Sequence, residues 1–247
     1  MFDWYEKNYW KTGFKSRLYE KLTPESYYES MRQVVSMLPG KRDLKIWDAG
    51  CGSGLLLIFL EDAFRKGCVY YGTDLLSSGL IKVKQSALEL GILDRVTCIQ
   101  SDLSESSPLK ENSIDIVITH FSIYTIVDND KRQEALKNMY HVLRPGGLLI
   151  ASCPSENYDP DEIIKESHDL IRIKKGFWNA IFKRLFIYPL TKRFGLKFIQ
   201  CQLGSGKWIA YSLADLEGEL RHAGFEVRNS RSVYAGSAYL ICGHKTR

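Results

Sequence analysis

The chain lacks both a long apolar run and a start typical of a secretion signal. Its longest strongly apolar stretch covers residues 55–60, whereas a helix needs roughly 20 apolar residues to span a bilayer. Residues 1–6 do not show the basic-then-apolar order of a signal peptide. We therefore expect a cytoplasmic protein, and peripheral contact with a membrane is a second possibility that other features leave open.

Cysteine is scarce and stands in no metal-binding or redox spacing. The chain has six cysteines and no CxxC pair, and they are Cys51, Cys68, Cys98, Cys153, Cys201 and Cys242. Structural zinc sites and redox motifs depend on closely spaced ligands. We therefore predict reduced cysteines that serve as packing residues, and no metal site.

Acidic residues are rare in one part of the chain. Between Lys165 and Lys207, only Glu166 and Asp169 oppose ten lysines and arginines, so this segment carries a charge of +8. The whole chain carries +5, which leaves about −3 for the remainder. Such a distribution is typical of a surface that meets an anionic partner.

The chain does contain an alternation of strand-like and helix-like segments. Short β-branched or aromatic runs predict strands at residues 44–47, 68–71, 96–99, 114–119, 148–151, 225–227 and 238–242. Helical patterns occupy residues 55–66, 77–90, 131–143 and 213–222. Strands that alternate with helices of this length predict an α/β fold in which helices cover both faces of a parallel sheet.

Three glycines follow the first predicted strand and precede a helix. Gly50, Gly52 and Gly54 form the pattern Asp-x-Gly-x-Gly-x-Gly, which starts at Asp48. Because glycine has no Cβ, the backbone of such a turn can approach a ligand closely. A nicotinamide-dinucleotide site would instead show Gly-x-Gly-x-x-Gly and a phosphate to hold. Residues 48–60 contain no lysine or arginine, which favours a ligand without phosphate.

Acidic residues follow the next two strands. Asp74 ends the second strand, where a carboxylate can accept both hydroxyls of a ribose. Asp102 follows the third strand and can accept from an exocyclic amine, while Leu103 covers the face of a base. The alternatives are structural: Asp48 caps the loop, Asp74 is an ordinary turn residue and Asp102 caps a helix.

Taken together, these motifs resemble the class I S-adenosyl-L-methionine (SAM)-dependent methyltransferases, and among them the group of ubiquinone/menaquinone-biosynthesis and small-molecule enzymes. The resemblance covers about 44–153 and 212–243, and is carried by residues 48–54, Asp74, 101–102, 115–124, 142–149 and 213–225. It implies a Rossmann-like seven-stranded sheet, mostly parallel with the last strand antiparallel. It also implies SAM as cofactor, S-adenosyl-L-homocysteine as product, and no metal.

The resemblance implies one domain with four parts. Residues 1–43 form an N-terminal helical lid, 44–153 the SAM-binding core, 154–211 a helical substrate-cap insertion after the fifth strand, and 212–247 the end of the core. The residues assigned to SAM are Asp48, Gly50, Cys51, Gly52, Asp74, Leu75, Asp102, Leu103, Thr119 and Tyr9. Tyr9, with Tyr5 and Trp10, would offer aromatic faces to the sulfonium, and simple packing is the alternative.

The end of the fourth strand is where the chemistry is expected, since ligands of open α/β sheets bind outside the carboxyl ends of the strands. By the resemblance, His120 falls where the family has a polar residue beside the transferred methyl group, and Tyr124 lies about one helical turn further on. Histidine titrates near neutral pH, so His120 is the candidate base and Tyr124 a second catalytic candidate. The alternative is a histidine that only makes hydrogen bonds at the strand end, with methyl transfer by proximity alone.

The insertion contains an aromatic pattern with a basic border. Apolar residues at helical spacing predict an amphipathic helix over residues 177–186, broken near Pro189. This helix fits a cap on the core, a lid over substrate or a segment at a membrane surface. We assign Trp178 and Phe182 to the substrate and expect their substitution to raise KM for the acceptor without changing SAM affinity.

The function predicted from these features is in-line methyl transfer to oxygen, nitrogen or carbon of a small acceptor that is partly apolar or anionic. The alternatives are methylation of a macromolecule docked by residues 165–207, such as an acidic carrier protein, and a non-catalytic SAM-binding protein. Nucleic acid is a less favoured partner, because the chain has no Asn-Pro-Pro-Tyr-type tetrapeptide.

Overall fold

A computed structural model describes residues 22–246, which contain a seven-stranded sheet. The strands are β1 (Lys45–Ala49), β2 (Val69–Asp74), β3 (Val96–Gln100), β4 (Ile114–His120), β5 (Leu143–Pro154), β6 (Glu226–Val233) and β7 (Ala238–His244). They lie in the order β3-β2-β1-β4-β5-β7-β6. β7 runs antiparallel to β5 and β6, and the other neighbours pair in parallel. The predicted Rossmann-like sheet is therefore confirmed.

The centre of the sheet is buried on both faces. All seven residues of β4 are buried, and four of them are isoleucine or valine. A continuous β-branched run of this kind suits a parallel strand that has helices on either side. The carboxyl ends of β1 and β4 therefore open at one protected edge of the sheet.

The helices are α1 (Glu25–Ser36), α2 (Glu61–Arg65), α3 (Ser77–Glu89), α4 (Asn129–Val142), α5 (Pro160–Lys175), α6 (Phe177–Phe182), α7 (Tyr188–Leu190), α8 (Lys197–Gly204) and α9 (Leu213–His222). The helix predicted over 55–66 is wrong in part, because Leu55–Phe59 is a 3₁₀-helix and α2 begins only at Glu61. The N–H of the buried Leu60 donates to the carbonyl of Leu57, which closes the tighter turn between them.

One described helix, α1, lies within residues 1–43, for which a helical lid was predicted. Tyr5, Tyr9 and Trp10 lie outside the described residues. The α1 helix packs against α5 of the insertion, where the N–H of Ser26 donates to Oγ of Ser167 at 3.0 Å. The insertion therefore contacts the core through α1.

The insertion is helical, but its main helical run does not break at Pro189. Two π-helical segments, Lys183–Ile187 and Thr191–Leu196, flank the short α7 that contains the proline. Proline has no N–H, and the wider π turns accommodate the lost hydrogen bond without ending the helix. Within residues 22–246, no helix is both long enough and apolar enough to cross a bilayer.

Candidate functional site

A cavity of about 370 Å³ lies where β1, β2 and β4 end. This volume falls within the range of small-molecule sites in proteins. Nine of the predicted site residues line it: Asp48, Gly50, Cys51, Gly52, Asp74, Leu75, Asp102, Leu103 and His120. The structure therefore gathers the loop glycines, the three acidic residues and the histidine around one space.

The glycine loop leaves space in this cavity, but its backbone N–H groups are not free to bind a ligand. The N–H groups of Gly50 and Cys51 both donate to the carbonyl of Thr73 at 2.9 Å, and that of Gly54 donates to Cys51. The N–H of Gly52 donates to Oδ2 of Asp74 at 2.9 Å. These four N–H groups already have acceptors inside the protein. The loop therefore contributes to ligand binding through the close approach of its backbone and not through these donors.

Gly50 is the tightest point of the loop. Its φ is +81°, and a Cβ at this position would lie 2.3 Å from Cβ of Ser122. Ser122 is held in place, because its hydroxyl donates to the carbonyl of Ala49 at 2.8 Å and contacts Oγ1 of Thr119 at 2.5 Å. Thr119 is fully buried and does not line the cavity, so it acts on the loop through Ser122.

Asp74 ties the end of β2 to the loop. Its Oδ2 accepts from Gly52, and its Oδ1 accepts from the N–H of Leu76 at 2.8 Å. Burial raises the pKa of the Asp74 carboxyl, and these two N–H donors oppose the rise. Each carboxylate oxygen keeps a second lone pair, so Asp74 can hold the loop and still accept from a bound hydroxyl.

Asp48 lies deeper than Asp74 and is almost fully buried. Its Oδ2 accepts from the hydroxyl of Tyr70 at 2.7 Å. Burial raises the pKa of Asp48 to about 7, although the Tyr70 hydrogen bond favours the charged form. A bound cation would lower this pKa again, because a nearby positive charge stabilises the carboxylate.

Asp102 and Leu103 line the cavity beyond β3. Oδ1 of Asp102 accepts from both the N–H of Ser104 at 2.9 Å and its hydroxyl at 2.7 Å. These bonds fix the direction of the carboxyl group in a local turn. Leu75, by contrast, is 60% exposed at the rim.

His120 reaches the cavity at the end of β4 and is buried. Its Nε2 lies 3.2 Å from Oγ of Ser30, whose hydroxyl donates to the carbonyl of Tyr27 at 2.8 Å. Ser30 has one proton to donate, so this geometry favours a proton on Nε2 that is donated to Ser30. Nδ1 is then the acceptor nitrogen, and it has no hydrogen-bond partner within residues 22–246.

The electrostatics of His120 are unfavourable for a general base. Burial lowers the pKa of His120 to about 3. An imidazole with this pKa is neutral near pH 7 but binds a proton only weakly. The arrangement therefore fits a neutral group that positions its neighbours better than one that removes a proton.

We expect His120 to make the folded protein less stable as the pH falls from 6.5 to 4.5. In this range an unfolded histidine binds a proton, whereas folded His120, with its pKa of about 3, does not. Relative to a His120→Asn variant, the wild type should lose about 2 to 3 kcal/mol of unfolding free energy over these pH units. Urea unfolding of both proteins at both pH values measures this difference.

The comparison with His120→Asn is needed because the titration of Asp48 changes the stability of the folded protein in the opposite direction to that of His120. Its pKa of about 7 in the folded protein exceeds its ordinary 3.8, so its contribution to stability rises as the pH falls, in both proteins alike. The matched control is His222→Asn at an exposed position of α9, which should follow the wild type. The same loss of stability in wild type and His120→Asn would refute the buried neutral imidazole.

Besides Thr119, three predicted residues of the described chain do not line the cavity. Tyr124 is 2% exposed and packs its ring against Trp208 at 5.4 Å, so the structure does not support a catalytic contact. Trp178 and Phe182 do not line the cavity and are 80% and 56% exposed. The lining of this cavity therefore gives no support to their assignment to the substrate, which stays a prediction.

Other lining residues were not predicted, and several come from α1 and from the segment after β4. Tyr27 and Met31 of α1 line the cavity, and the Tyr27 ring lies 5.3 Å from His120 and 5.6 Å from Phe121. Phe121 has a φ of +53°, which is strained for a residue with a side chain. The sequence signal for Phe121 is its position directly after a predicted strand, where ligands of α/β sheets bind. Its strained backbone is visible only in the structure.

The described lining contains no lysine or arginine. Likewise, the His, Cys, Asp and Glu side chains of residues 22–246 form no group of three that would hold a metal ion. The cavity therefore has acidic groups near β2 and β3 and apolar or aromatic groups near β4 and α1.

Comparison with known proteins agrees with this geometry. A family model described as a methyltransferase domain matches residues 46–147. The chain is 25% identical over 222 residues to the ubiquinone/menaquinone biosynthesis C-methyltransferase UbiE of Pseudoalteromonas translucida, covering 87% of this chain and 79% of that protein. It is 24% identical over 235 residues to the demethylmenaquinone methyltransferase of Staphylococcus epidermidis, covering 93% and 87%.

A solved structure shows the same fold. The SAM-dependent methyltransferase from Aquifex aeolicus superposes with a TM-score of 0.59 at 16% identity, covering 87% of this chain and 89% of that one. The matched range of the family model includes the glycine loop, Asp74 and Asp102.

Proposed function

We propose that this chain, which is a class I SAM-dependent methyltransferase, methylates a small and largely apolar acceptor of the quinone or aromatic-ring type. The observation that supports this proposal is the two-part lining of the cavity. Carboxylates stand at the ends of β1, β2 and β3, whereas Tyr27, Met31 and Phe121 stand beside His120 at the β4 side. An anionic acceptor is less favoured, because the described lining has no cationic side chain.

The residues of the acidic side fit SAM. SAM is a cation without phosphate, so it calls for carboxylates and close backbone instead of a basic phosphate cradle. In this proposal Asp74 accepts from the ribose hydroxyls, and Asp102 and Leu103 hold the adenine. Gly50 keeps the floor open, since a Cβ there would enter the space of Ser122.

The aromatic side would orient the acceptor. When bound, SAM would supply an electrophilic methyl group from its sulfonium and would leave as S-adenosyl-L-homocysteine. The methyl group would replace a hydrogen of the acceptor, and the displaced proton would pass to water. Tyr27 and Phe121 provide ring faces for a planar acceptor. The low pKa of His120 supports methyl transfer that depends on alignment, without proton removal by this residue.

The names of two relatives support the acceptor class. One acts in ubiquinone and menaquinone biosynthesis as a C-methyltransferase, and the other is a demethylmenaquinone methyltransferase. Transfer to a ring carbon is therefore the form of the reaction that we propose first. Transfer to an oxygen of a similar ring is the second form, since the same aromatic wall would hold it.

A direct assay tests the proposal. The protein is incubated with methyl-labelled SAM and a reduced short-tail demethylated quinone, or with a small polar catechol, or with an acidic carrier protein. We expect label in the apolar product, located on a ring carbon by mass spectrometry. Label that enters only the catechol or the carrier, with SAM binding confirmed, would refute the apolar acceptor.

Phe121→Ala should raise KM for a water-soluble apolar acceptor by about tenfold, because it removes one ring face of the proposed acceptor site. The dissociation constant for SAM should stay unchanged. The double variant Trp178→Ala/Phe182→Ala is the matched control, since these aromatic residues lie outside the cavity lining. Steady-state kinetics would contradict the site if the double variant raised KM and Phe121→Ala did not.

A further inference from the structure

The insertion carries an unusual concentration of exposed apolar side chains. Eight large apolar residues between 173 and 194 are exposed, including the aromatic residues Phe177, Trp178, Phe182, Phe186 and Phe194. They form contacts with each other at the surface: the Phe177 and Trp178 rings lie 5.7 Å apart, and those of Phe182 and Phe186 5.2 Å apart. Contiguous exposed apolar surface of this kind marks a contact with a partner or a membrane. We call these eight residues the insertion face.

The inward side of the insertion is already packed. Ile171, Ala180 and Tyr188 form a small buried cluster, and the Tyr188 hydroxyl donates to the carbonyl of Ser167 at 3.1 Å. The α1–α5 contact through Ser26 joins this side to the core. The exposed aromatic residues are therefore those left over after the helices have packed.

The charge around the insertion face has one sign. From residue 170 to residue 214 the chain has nine lysines and arginines and no aspartate or glutamate. Lys174 pairs with Glu29 and Lys192 with Asp161. Within residues 22–246, Lys175, Arg184 and Lys197 take part in no ion pair. These free cations flank or lie among the exposed aromatic residues, which is the composition of an interfacial helix.

We propose that the insertion face docks the protein on an anionic lipid bilayer. Aromatic side chains enter the boundary between headgroups and acyl chains, and the lysines and arginines meet anionic headgroups. An acidic carrier protein would need the charges but would not account for five exposed aromatic rings. The proposal rests on the proposed function in one respect only: an apolar acceptor would be reached from such a surface.

The docked surface lies close to the acceptor side of the cavity. The insertion packs on α1 through Ser26 and Ser167, and Tyr27 and Met31 of the same helix line the cavity. Docking by the insertion face would therefore anchor the part of the fold that packs on α1, the helix that lines the aromatic side of the cavity.

Vesicle flotation tests the docking without SAM or acceptor, so it is independent of the methyl-transfer assay. We expect the full chain to float with phosphatidylcholine vesicles that contain phosphatidylglycerol. Trp178→Ala/Phe182→Ala should weaken this partitioning at least about tenfold. Lys175→Gln/Arg184→Gln should weaken it to a similar extent, since each cation near an anionic surface contributes about fivefold.

The matched control is Ile81→Ala/Leu88→Ala, which removes two side chains of α3 that are 67% and 66% exposed. This variant should float like the wild type, and thermal unfolding should show that all variants are folded. Brominated acyl chains should quench wild-type tryptophan fluorescence more strongly than that of Trp178→Phe. Absence of flotation with anionic vesicles would overturn the proposal. So would flotation that depends on Lys175 and Arg184 but not on the aromatic pair, because the aromatic side chains would then not enter the bilayer.

An activity readout separates docking from a direct role in acceptor binding. With an acceptor embedded in anionic vesicles, Trp178→Ala/Phe182→Ala should raise the apparent KM about tenfold. With a water-soluble acceptor, the same variant should leave KM unchanged. A rise in both assays would return these residues to the acceptor site and overturn the docking role.

Discussion

Gly50→Ala is expected to abolish SAM binding and to destabilise the protein by about 2 to 4 kcal/mol. The backbone at Gly50 has a φ of +81°, where a Cβ is strained. The new methyl group would also lie 2.3 Å from Cβ and 2.8 Å from Oγ of Ser122. Because Ser122 is fixed by Ala49 and Thr119, the loop has to move into the cavity. Calorimetric titration with SAM and urea unfolding measure the two effects.

Two further variants separate the contact from the backbone strain. Gly91→Ala is the control, because Gly91 has a φ of +69° but no atom within 4 Å of a Cβ. It should cost only about 1 kcal/mol and leave SAM binding intact. Ser122→Gly in the Gly50→Ala background removes the two nearest atoms and should restore part of the SAM affinity. If Gly50→Ala binds SAM as the wild type does, the loop is not the floor of the SAM site.

Asp74→Ala is expected to weaken SAM binding by about 100-fold. Two hydrogen bonds to a charged acceptor contribute about 1.5 kcal/mol each or more, and the variant loses both. Asp74→Asn keeps one acceptor oxygen and should bind with intermediate affinity. Asp94→Ala is the control, since the Asp94 side chain is 78% exposed and lies at another surface.

A ligand that lacks one ribose hydroxyl tests directly whether Asp74 binds that hydroxyl. S-adenosyl-L-homocysteine and its 2′-deoxyribose analogue should differ in affinity for the wild type. They should bind equally to Asp74→Ala, because the partner of that hydroxyl is gone. The Asp74 carboxyl also holds Gly52 and Leu76, so a loss of affinity that is the same for both ligands would assign the residue to loop structure alone.

The alternation of strands and helices was sufficient to predict an α/β fold with a parallel sheet, and the resemblance added the antiparallel last strand. The β4 run of isoleucine and valine and the turn at Gly50–Gly54 each specify local structure that the fold keeps. Strand ends were predicted less well: β5 begins at Leu143, ahead of the predicted Leu148. Leu143 pairs with Ile114 of β4, but regular pairing resumes only at Leu148, after a shift in register. The pairing with β7 also starts at Leu148.

The acidic half of the cavity lining was predicted, whereas in the aromatic half only His120 was predicted. Asp74 and Asp102 stand at strand ends, and topology brings strand ends together. Tyr27 and Ser30 lie on a helix far away in the sequence, and helical spacing does not show which surface that helix covers. The pKa of His120 depends on the same packing, because burial is what lowers it.

The insertion shows a second limit of pattern reading. The spacing of Trp178 and Phe182 correctly predicted helix, but it did not show whether the apolar side faces inward. That direction follows from which neighbours are available, and the inward positions are taken by Ala180 and Tyr188. The basic residues of the same segment are compatible with an apolar side that faces the core and with one that faces solvent. Charge alone therefore did not decide between the two orientations.

The place of β7 in the sheet has a consequence during synthesis. β7 leaves the ribosome after the other six strands of the sheet, yet it lies between β5 and β6 and pairs with both. Until residues 238–244 emerge, one edge of the apolar β5 has no partner, and an unpaired strand edge invites pairing with other chains. A ribosome that stalls before residue 238 would therefore release a nascent chain that needs a chaperone, even though its glycine loop and both acidic strand ends are already made.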